Sequence, residues 1–293
     1  MDSRFCLFFL ALSCFLSWGL SQEEELSQIA RQMEEDVRVI TQTIGERSPK
    51  TYEKLEKTLV YLEGRTRSKA WDSSRHTYRV EGQEYHNLVL EKKGKKKDAP
   101  IILLGAHYDT VPGTPGADDN ASGVVVLMAL SRMLADWSNE HPLRLVFFTL
   151  EEPPYFRTPD MGSTRYAKKM KKEREKVKWM ISVDMVGYYS DERVQKISEH
   201  ERAPADFIRL VSRPEDREIA SRFAAYLEKH NAFPVKMFIA PPSVRGVDFS
   251  DHLSFWKYGY PASMLNDTVE ERGNLHYHRS TDTLDIQIGR AHV

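Results

Sequence analysis

Three uninterrupted apolar runs, each leading into an acid or a histidine, constrain this chain more than any other feature. Residues 100–106 (Pro-Ile-Ile-Leu-Leu-Gly-Ala) run into His107-Tyr108-Asp109, residues 143–149 run toward Glu151-Glu152, and residues 179–183 run into Asp184. A short apolar run without polar alternation has no wet face. It therefore reads as a strand buried on both sides of a parallel or mixed sheet. Helical patterns lie between the runs. Residues 120–136 bring Val124, Leu127, Leu130, Met133 and Leu134 to one face; residues 164–175 form a basic helix and residues 215–230 an amphipathic one. Shorter strands are expected at residues 76–81, 86–91, 207–211 and 261–265. Strands alternating with helices predict an α/β fold, a three-layer sandwich whose central mixed, mostly parallel sheet is flanked by helices.

The N-terminal part is different. Ile29, Met33, Val37, Ile40 and Ile44 recur at helical spacing, and Tyr52, Leu55, Leu59 and Leu62 repeat the pattern after Ser48-Pro49. Residues 22–75 are thus an N-terminal helical segment ahead of a main domain at 76–287. Before them, Arg4, a short apolar run and Gly19-Leu20-Ser21 have the layout of a secretory signal. The run is too short for the ~20 residues that cross a bilayer. Residues 1–21 are read as that signal, a retained anchor being the alternative. The protein is accordingly expected to be exported, periplasmic or secreted, with no stable membrane span in the mature chain.

Both cysteines, Cys6 and Cys14, fall inside this segment. The remainder has no disulfide, no thiol nucleophile and no cysteine metal ligand. With 42 Lys+Arg against 43 Asp+Glu, the net charge is −1, which excludes a generally basic nucleic-acid binder.

The chemistry sits where the apolar runs end. Ligand sites of open α/β sheets lie beyond the carboxyl ends of strands, so three such ends would gather His107, Glu151, Glu152 and Asp184. The loop Gly116-Ala117-Asp118-Asp119-Asn120-Ala121-Ser122-Gly123 adds carboxylates, and His276-Tyr277-His278 follows near the end. At ~4 Å and an effective dielectric near 20, a pair of like charges costs about 4 kcal/mol. Such a cluster raises its pKa values or binds cations. His and carboxylate donors without Cys suit Zn²⁺, with Mn²⁺ or Co²⁺ as alternatives.

These segments resemble peptidase family M28, the zinc aminopeptidases. The matching stretches are Gly105-Ala106-His107-Tyr108-Asp109, the loop at 116–123, Glu151-Glu152 and Val183-Asp184-Met185. Further on come Ser250-Asp251-His252-Leu253-Ser254-Phe255 and His278-Arg279-Ser280-Thr281-Asp282-Thr283. The resemblance covers roughly residues 75–285 and implies two zinc ions. His107 and Asp184 would hold one, Glu152 and His278 the other, and Asp119 would bridge them. Two Zn²⁺, three carboxylates and one hydroxide sum to zero charge. Asp109 would be the carboxylate behind the His107 imidazole. Glu151 resembles the general base that moves a proton from the attacking water to the leaving amine. A cis peptide bond at Asp119–Asn120 is also implied. Tyr277 is left between hydrogen-bonding the oxyanion and simple packing.

The activity so implied is zinc-dependent hydrolysis of N-terminal peptide bonds, on peptide substrates with a free N-terminus. Three rivals stand beside it: a glutaminyl cyclase-like acyltransferase with one zinc, a non-catalytic binding ectodomain on the same scaffold, and another metal-dependent amidohydrolase. Ser250-Asp251-His252 is not a catalytic triad, since adjacent side chains cannot converge; His252 is expected to be structural and Ser250 to cap the following helix. His276 is the alternative to His278, but only His278 has the family's spacing to Asp282-Thr283. The loop 153–163 is longer than the family's and is expected to border the substrate pocket, with Tyr155 and Phe156 as an apolar wall. The tail Ile288-Gly289-Arg290-Ala291-His292-Val293 matches one reading frame of a common sequencing adaptor. It is expected to be an artefact replacing the natural C-terminus.

Overall fold

The computed structural model describes residues 22–96, 98–196, 202–205, 207–229, 234–267 and 274–287. The expected signal at 1–21 and the tail at 288–293 lie outside the described residues. The chain opens with helix α1 (Gln22–Arg38), which widens into a π-helical turn at Val39–Ile44. Ser48 then caps a short turn, Pro49–Thr51, through a reciprocal pair of bonds with Thr51, and α2 (Tyr52–Arg65) follows. The antiparallel pair β1 (Asp72–Val80) and β2 (Gln83–Lys92) precedes β3 (Ile101–His107). Next come α3 (Gly123–Met133), β4 (Leu143–Phe148), α4 (Gly162–Lys172) and β5 (Val177–Val183). A separate hairpin of β6 (Ser190–Lys196) and β7 (Arg202–Ala205) leads to β8 (Ile208–Ser212) and α5 (Arg217–Lys229). The described chain ends with β9 (Val235–Ile239), α6 (His252–Lys257), β10 (Ala262–Asn266) and α7 (Leu284–Gln287).

Eight strands form one sheet in the order β1-β2-β4-β3-β5-β10-β8-β9. The pairings β4–β3, β3–β5, β5–β10 and β8–β9 are parallel, and the other three are antiparallel. The sheet is mixed, as expected, with a parallel run β4-β3-β5-β10 at its centre and one further parallel pair, β8–β9, at an edge. The three apolar runs are its adjacent central strands β4, β3 and β5. Alternate residues of a strand face opposite sides. Leu104 and Ala106 accordingly pack with α1, α2 and α3, while Ile101 and Leu103 pack with Tyr166 and Met170 of α4 and Phe255 of α6. This is the three-layer sandwich. The N-terminal helices are part of it, because Met33, Val37, Leu55, Leu59 and Leu62 are buried in the same core as the strands.

Three details differ from expectation. The helix expected at 120–136 starts at Gly123, because residues 117–122 form a tight turn with non-helical dihedrals at Asp119 and Asn120. Strand β9 and the hairpin were not expected; β9 is only partly buried and lacks the apolar run that marks a central strand. Ser250 does not cap α6: its hydroxyl is hydrogen-bonded to the Ser182 hydroxyl at 2.7 Å, and Asp251 occupies the cap position.

Candidate metal centre

β3 and β5 are parallel neighbours, so His107, at the end of β3, and Asp184, just beyond β5, emerge at the same edge. β4 ends at Phe148 beside His107, and the chain turns through Leu150 at positive φ to deliver Glu151 and Glu152. Asp109 secures that turn, its two carboxylate oxygens accepting the backbone N–H groups of Glu151 and Glu152, each at 3.1 Å. Asp109 also lies behind His107, with a carboxylate oxygen 3.6 Å from Nδ1, but the shorter contact of Nδ1, at 3.2 Å, is to the Asp109 main-chain oxygen.

The Asp119 loop is held from four directions. Gly116 enters it in the left-handed region, at φ 59°, where a Cβ would stand 2.3 Å from the Asp119 carbonyl. Asp282 accepts the N–H groups of Asp118 and Asp119 at 2.9 and 3.1 Å. Asp118 accepts Gly187 N–H at 2.9 Å and Asn274 Nδ2 at 3.2 Å. Asn120 accepts the Gly123 and Met185 N–H groups and donates to the Val183 carbonyl, tying the loop to the Asp184 segment. The Asp119–Asn120 peptide bond is cis. Asn120, one residue of a glycosylation sequon, is fully buried and committed to these bonds. Arg47, from the N-terminal segment, completes the cage. It is fully buried and donates to the carbonyls of Tyr108, Gly45, Pro115 and Gly116.

The result gathers all five expected ligands in one pocket. His107 Nε2 lies 3.3 Å from Asp119 Oδ1 and 3.5 Å from Asp184 Oδ1. His278 Nε2 lies 3.1 Å from Asp119 Oδ2 and 3.3 Å from Glu152 Oε2. Asp119 thus gives one oxygen to each histidine group. With metal–ligand bonds of ~2.0–2.1 Å, the corners of a tetrahedron stand about 3.3 Å apart. The observed spacings match those edges, and each group offers His nitrogen and carboxylate oxygen within mutual reach. Glu152 Oε1 is also buried without a hydrogen-bond partner. The residues therefore fit divalent metal ions of the zinc class.

The electrostatics agree. Burial by itself lowers the His107 pKa, yet Glu151, Asp184, Asp109 and Asp119 carry it well above the usual histidine value. His278 opposes its burial through Asp119 and Glu152 and is pushed up to about 10. Burial raises Asp119, but its bonds to the two imidazoles reverse that and hold it below the usual carboxylate range. Glu152 rises to about 7, through burial and then Asp119. Glu151, 3.9 Å from His107 Nε2, is raised well above the carboxylate range, mainly by burial. Bound protons or bound cations would each relieve the repulsion in such a cluster.

A cavity of about 470 Å³ opens over these groups and is also lined by Phe156 and Tyr277. Tyr277 stacks on His278, 3.8 Å between ring centroids, and burial raises its hydroxyl pKa. Phe156 forms part of the wall against Phe249, as expected. Tyr155 does not; it packs against Tyr85, 6.5 Å between centroids, on the core side. His276 turns to the Thr281 hydroxyl at 2.9 Å. His252 is buried, donating from Nε2 to the Val247 carbonyl. Sequence reasoning did not single out Arg47 or assign tasks to Asn120 and Asp282. The one available signal was the recurrence of Asp282 four residues after His278.

Comparison with known proteins follows the same lines. The family model for peptidase family M28 matches residues 87–292. The Escherichia coli (strain K12) protein YfbL is 34% identical over 271 residues, covering 87% of this chain and 81% of its own length. Leucine aminopeptidase 1 of Emericella nidulans is 28% identical over 196 residues, covering 62% of this chain but only 46% of its own length. The zinc aminopeptidase BSAP of Bacillus subtilis superposes with a TM-score of 0.70 at 15% identity, covering 88% of this chain and 90% of that one. Porphyromonas gingivalis glutaminyl cyclase shares the fold as well, at a TM-score of 0.63 and 21% identity, covering 89% and 91%.

Proposed function

The chain belongs to peptidase family M28, and from that membership we propose that it is an exported aminopeptidase using two zinc ions to hydrolyse N-terminal peptide bonds. The observation that carries this reading is the pair of donor groups sharing Asp119, one oxygen to each. His107 and Asp184 would hold one ion and Glu152 and His278 the other. Bound there, such ions supply Lewis acidity to a substrate carbonyl and acidify water.

The remaining steps fall to the chain's own residues. Glu151 takes the proton of the attacking water and returns it to the leaving amine. A carboxyl whose pKa burial raises well above the usual carboxylate range is suited to both transfers. Asp109 fixes the backbone of Glu151 and so the position of its carboxyl. The acidic groups around Asp119 receive the substrate's α-ammonium. Tyr277, whose hydroxyl remains protonated, donates to the developing oxyanion. The signal expected at 1–21 accounts for export. Among the described residues, no helix is long and apolar enough to cross a membrane.

The test is a panel of aminoacyl-nitroanilides with and without chelator, together with metal content by mass spectrometry. Chelator-sensitive turnover with two zinc ions per chain supports the reading. One zinc per chain with cyclisation of N-terminal glutamine would instead select the glutaminyl cyclase reading. No turnover of any panel member after zinc loading would select the non-catalytic one.

A further inference from the structure

The cavity over the metal centre has a second, oppositely charged wall. Its acidic lining residues are Asp119, Glu151, Glu152 and Asp184, all in the centre itself, while Arg209 and Arg245 line it elsewhere. Strand register fixes where Arg209 stands. Asn266 of β10 pairs with Arg209 of β8, and Asn266 Nδ2 donates to the Asp184 carbonyl at 2.9 Å. Asp184, Asn266 and Arg209 are therefore side by side across three adjacent chain segments. Two strand spacings, about 10 Å, separate the backbones of Asp184 and Arg209.

The neighbouring rung consists of Met264, Val211 and Phe238, which pair in that order and all line the cavity. Arg209 is two residues from Val211, so it projects from the same face. Its guanidinium lies over the Phe238 ring, 5.2 Å from the centroid, which holds it along this wall. Arg245 joins it from the loop between β9 and α6, on the same loop as Phe249. The pocket thus runs from the acidic centre, over an apolar floor, to two arginines.

We propose that Arg209 and Arg245 are specificity-determining residues that select substrates bearing a carboxylate about one to two residues' length from the N-terminal amine. This deepens the aminopeptidase reading and rests on it for where the amine sits. An extended residue spans about 3.3–3.6 Å, so the carboxylate of such a substrate and an arginine side chain together bridge the interval. A guanidinium fork matches a carboxylate with two parallel hydrogen bonds. The carboxylate has two sources: the side chain of an acidic N-terminal residue, or the C-terminus of a dipeptide.

Isothermal titration calorimetry on the zinc-loaded protein separates them. One probe pair is L-glutamate and L-glutamine; the other is uncleavable, reduced-bond leucyl-glycine and its C-terminal amide. The carboxylate member of at least one pair is expected to bind about tenfold tighter or more. The pair that shows the preference identifies the source. Arg209→Gln combined with Arg245→Gln is expected to reduce that preference to about threefold or less. Arg245 is exposed and its replacement leaves the core untouched; should Arg209→Gln unfold the protein, Arg209→Lys is expected to retain part of the preference. Equal binding within both pairs, or a preference that survives both substitutions, overturns the proposal. A protein that shows the preference but hydrolyses no N-terminal bond would refute the aminopeptidase reading and leave the carboxylate pocket standing.

Discussion

Replacing Arg47 by methionine tests whether the N-terminal segment builds the metal centre. Four bonds leave its guanidinium: Nε to the Tyr108 carbonyl at 2.8 Å, Nη1 to Gly45 and Pro115 at 3.1 and 2.5 Å, and Nη2 to Gly116 at 3.0 Å. Its main chain also pairs with Thr110, N–H to Oγ1 at 3.1 Å and carbonyl from N–H at 3.3 Å. Burial lowers its pKa to about 10, against the pull of Asp282, Asp109, Asp119 and Glu152, so it is charged at pH 7. Methionine keeps the approximate length and removes every side-chain donor. Bonds to a charged donor contribute about 1.5–3 kcal/mol each. Their sum overstates the loss, because removing the guanidinium also removes its desolvation cost. Breaking a buried charged interaction from one side costs about 3–5 kcal/mol, and that is the expected loss. At ~2–4 °C per kcal/mol for a chain of this size, the melting temperature falls by about 6–20 °C. Urea unfolding of the chelator-treated variant and native protein at pH 7 measures the difference without metal. Arg47→Lys should fall between them, since one ammonium cannot reach all four carbonyls. A methionine variant within about 1 kcal/mol of the native protein would refute the reasoning.

Other outcomes follow from the same geometry. Glu151→Gln should lower turnover by about 10²–10⁴-fold with zinc content unchanged; near-normal turnover would remove Glu151 as the base. Asp282→Asn replaces one of two acceptors facing the Asp118 and Asp119 N–H groups with a donor. Zinc affinity, measured by chelator competition, should weaken about 10–100-fold, and unchanged affinity would show that the loop holds without Asp282. His252 is buried with one ring nitrogen unpartnered, and burial lowers its pKa to about 4. The unfolded chain therefore takes up the proton first as pH falls. Its effect on stability is absent above about pH 6.5 and grows to roughly 3 kcal/mol of destabilisation near pH 4. Unfolding midpoints at pH 7 and 4.5 should converge in His252→Gln relative to the native protein; identical pH slopes in the two would contradict the assignment.

Much of the fold and of the candidate site is legible in the sequence because it is local. The apolar runs at 101–107, 143–148 and 177–183 carry their burial in their composition, and the groups that follow them inherit a shared edge from strand direction alone. His107, Glu151, Glu152 and Asp184 could thus be gathered from one chain, and the family resemblance added Asp119 and His278. What supports them could not be read in this way. Arg47 reaches Gly116 across 69 residues, and Asp282 reaches Asp118 across 164. An arginine or aspartate far away in the chain looks like any solvated charge until packing removes its water. The same holds for Ser250, whose hydroxyl found Ser182 rather than a helix end, and for Tyr155, which turned to the core while Phe156 faced the cavity. Composition along the chain determined which segments are strands and where acids leave them. Only the tertiary structure decided which charges are desolvated together, because that depends on which distant segments displace the same water.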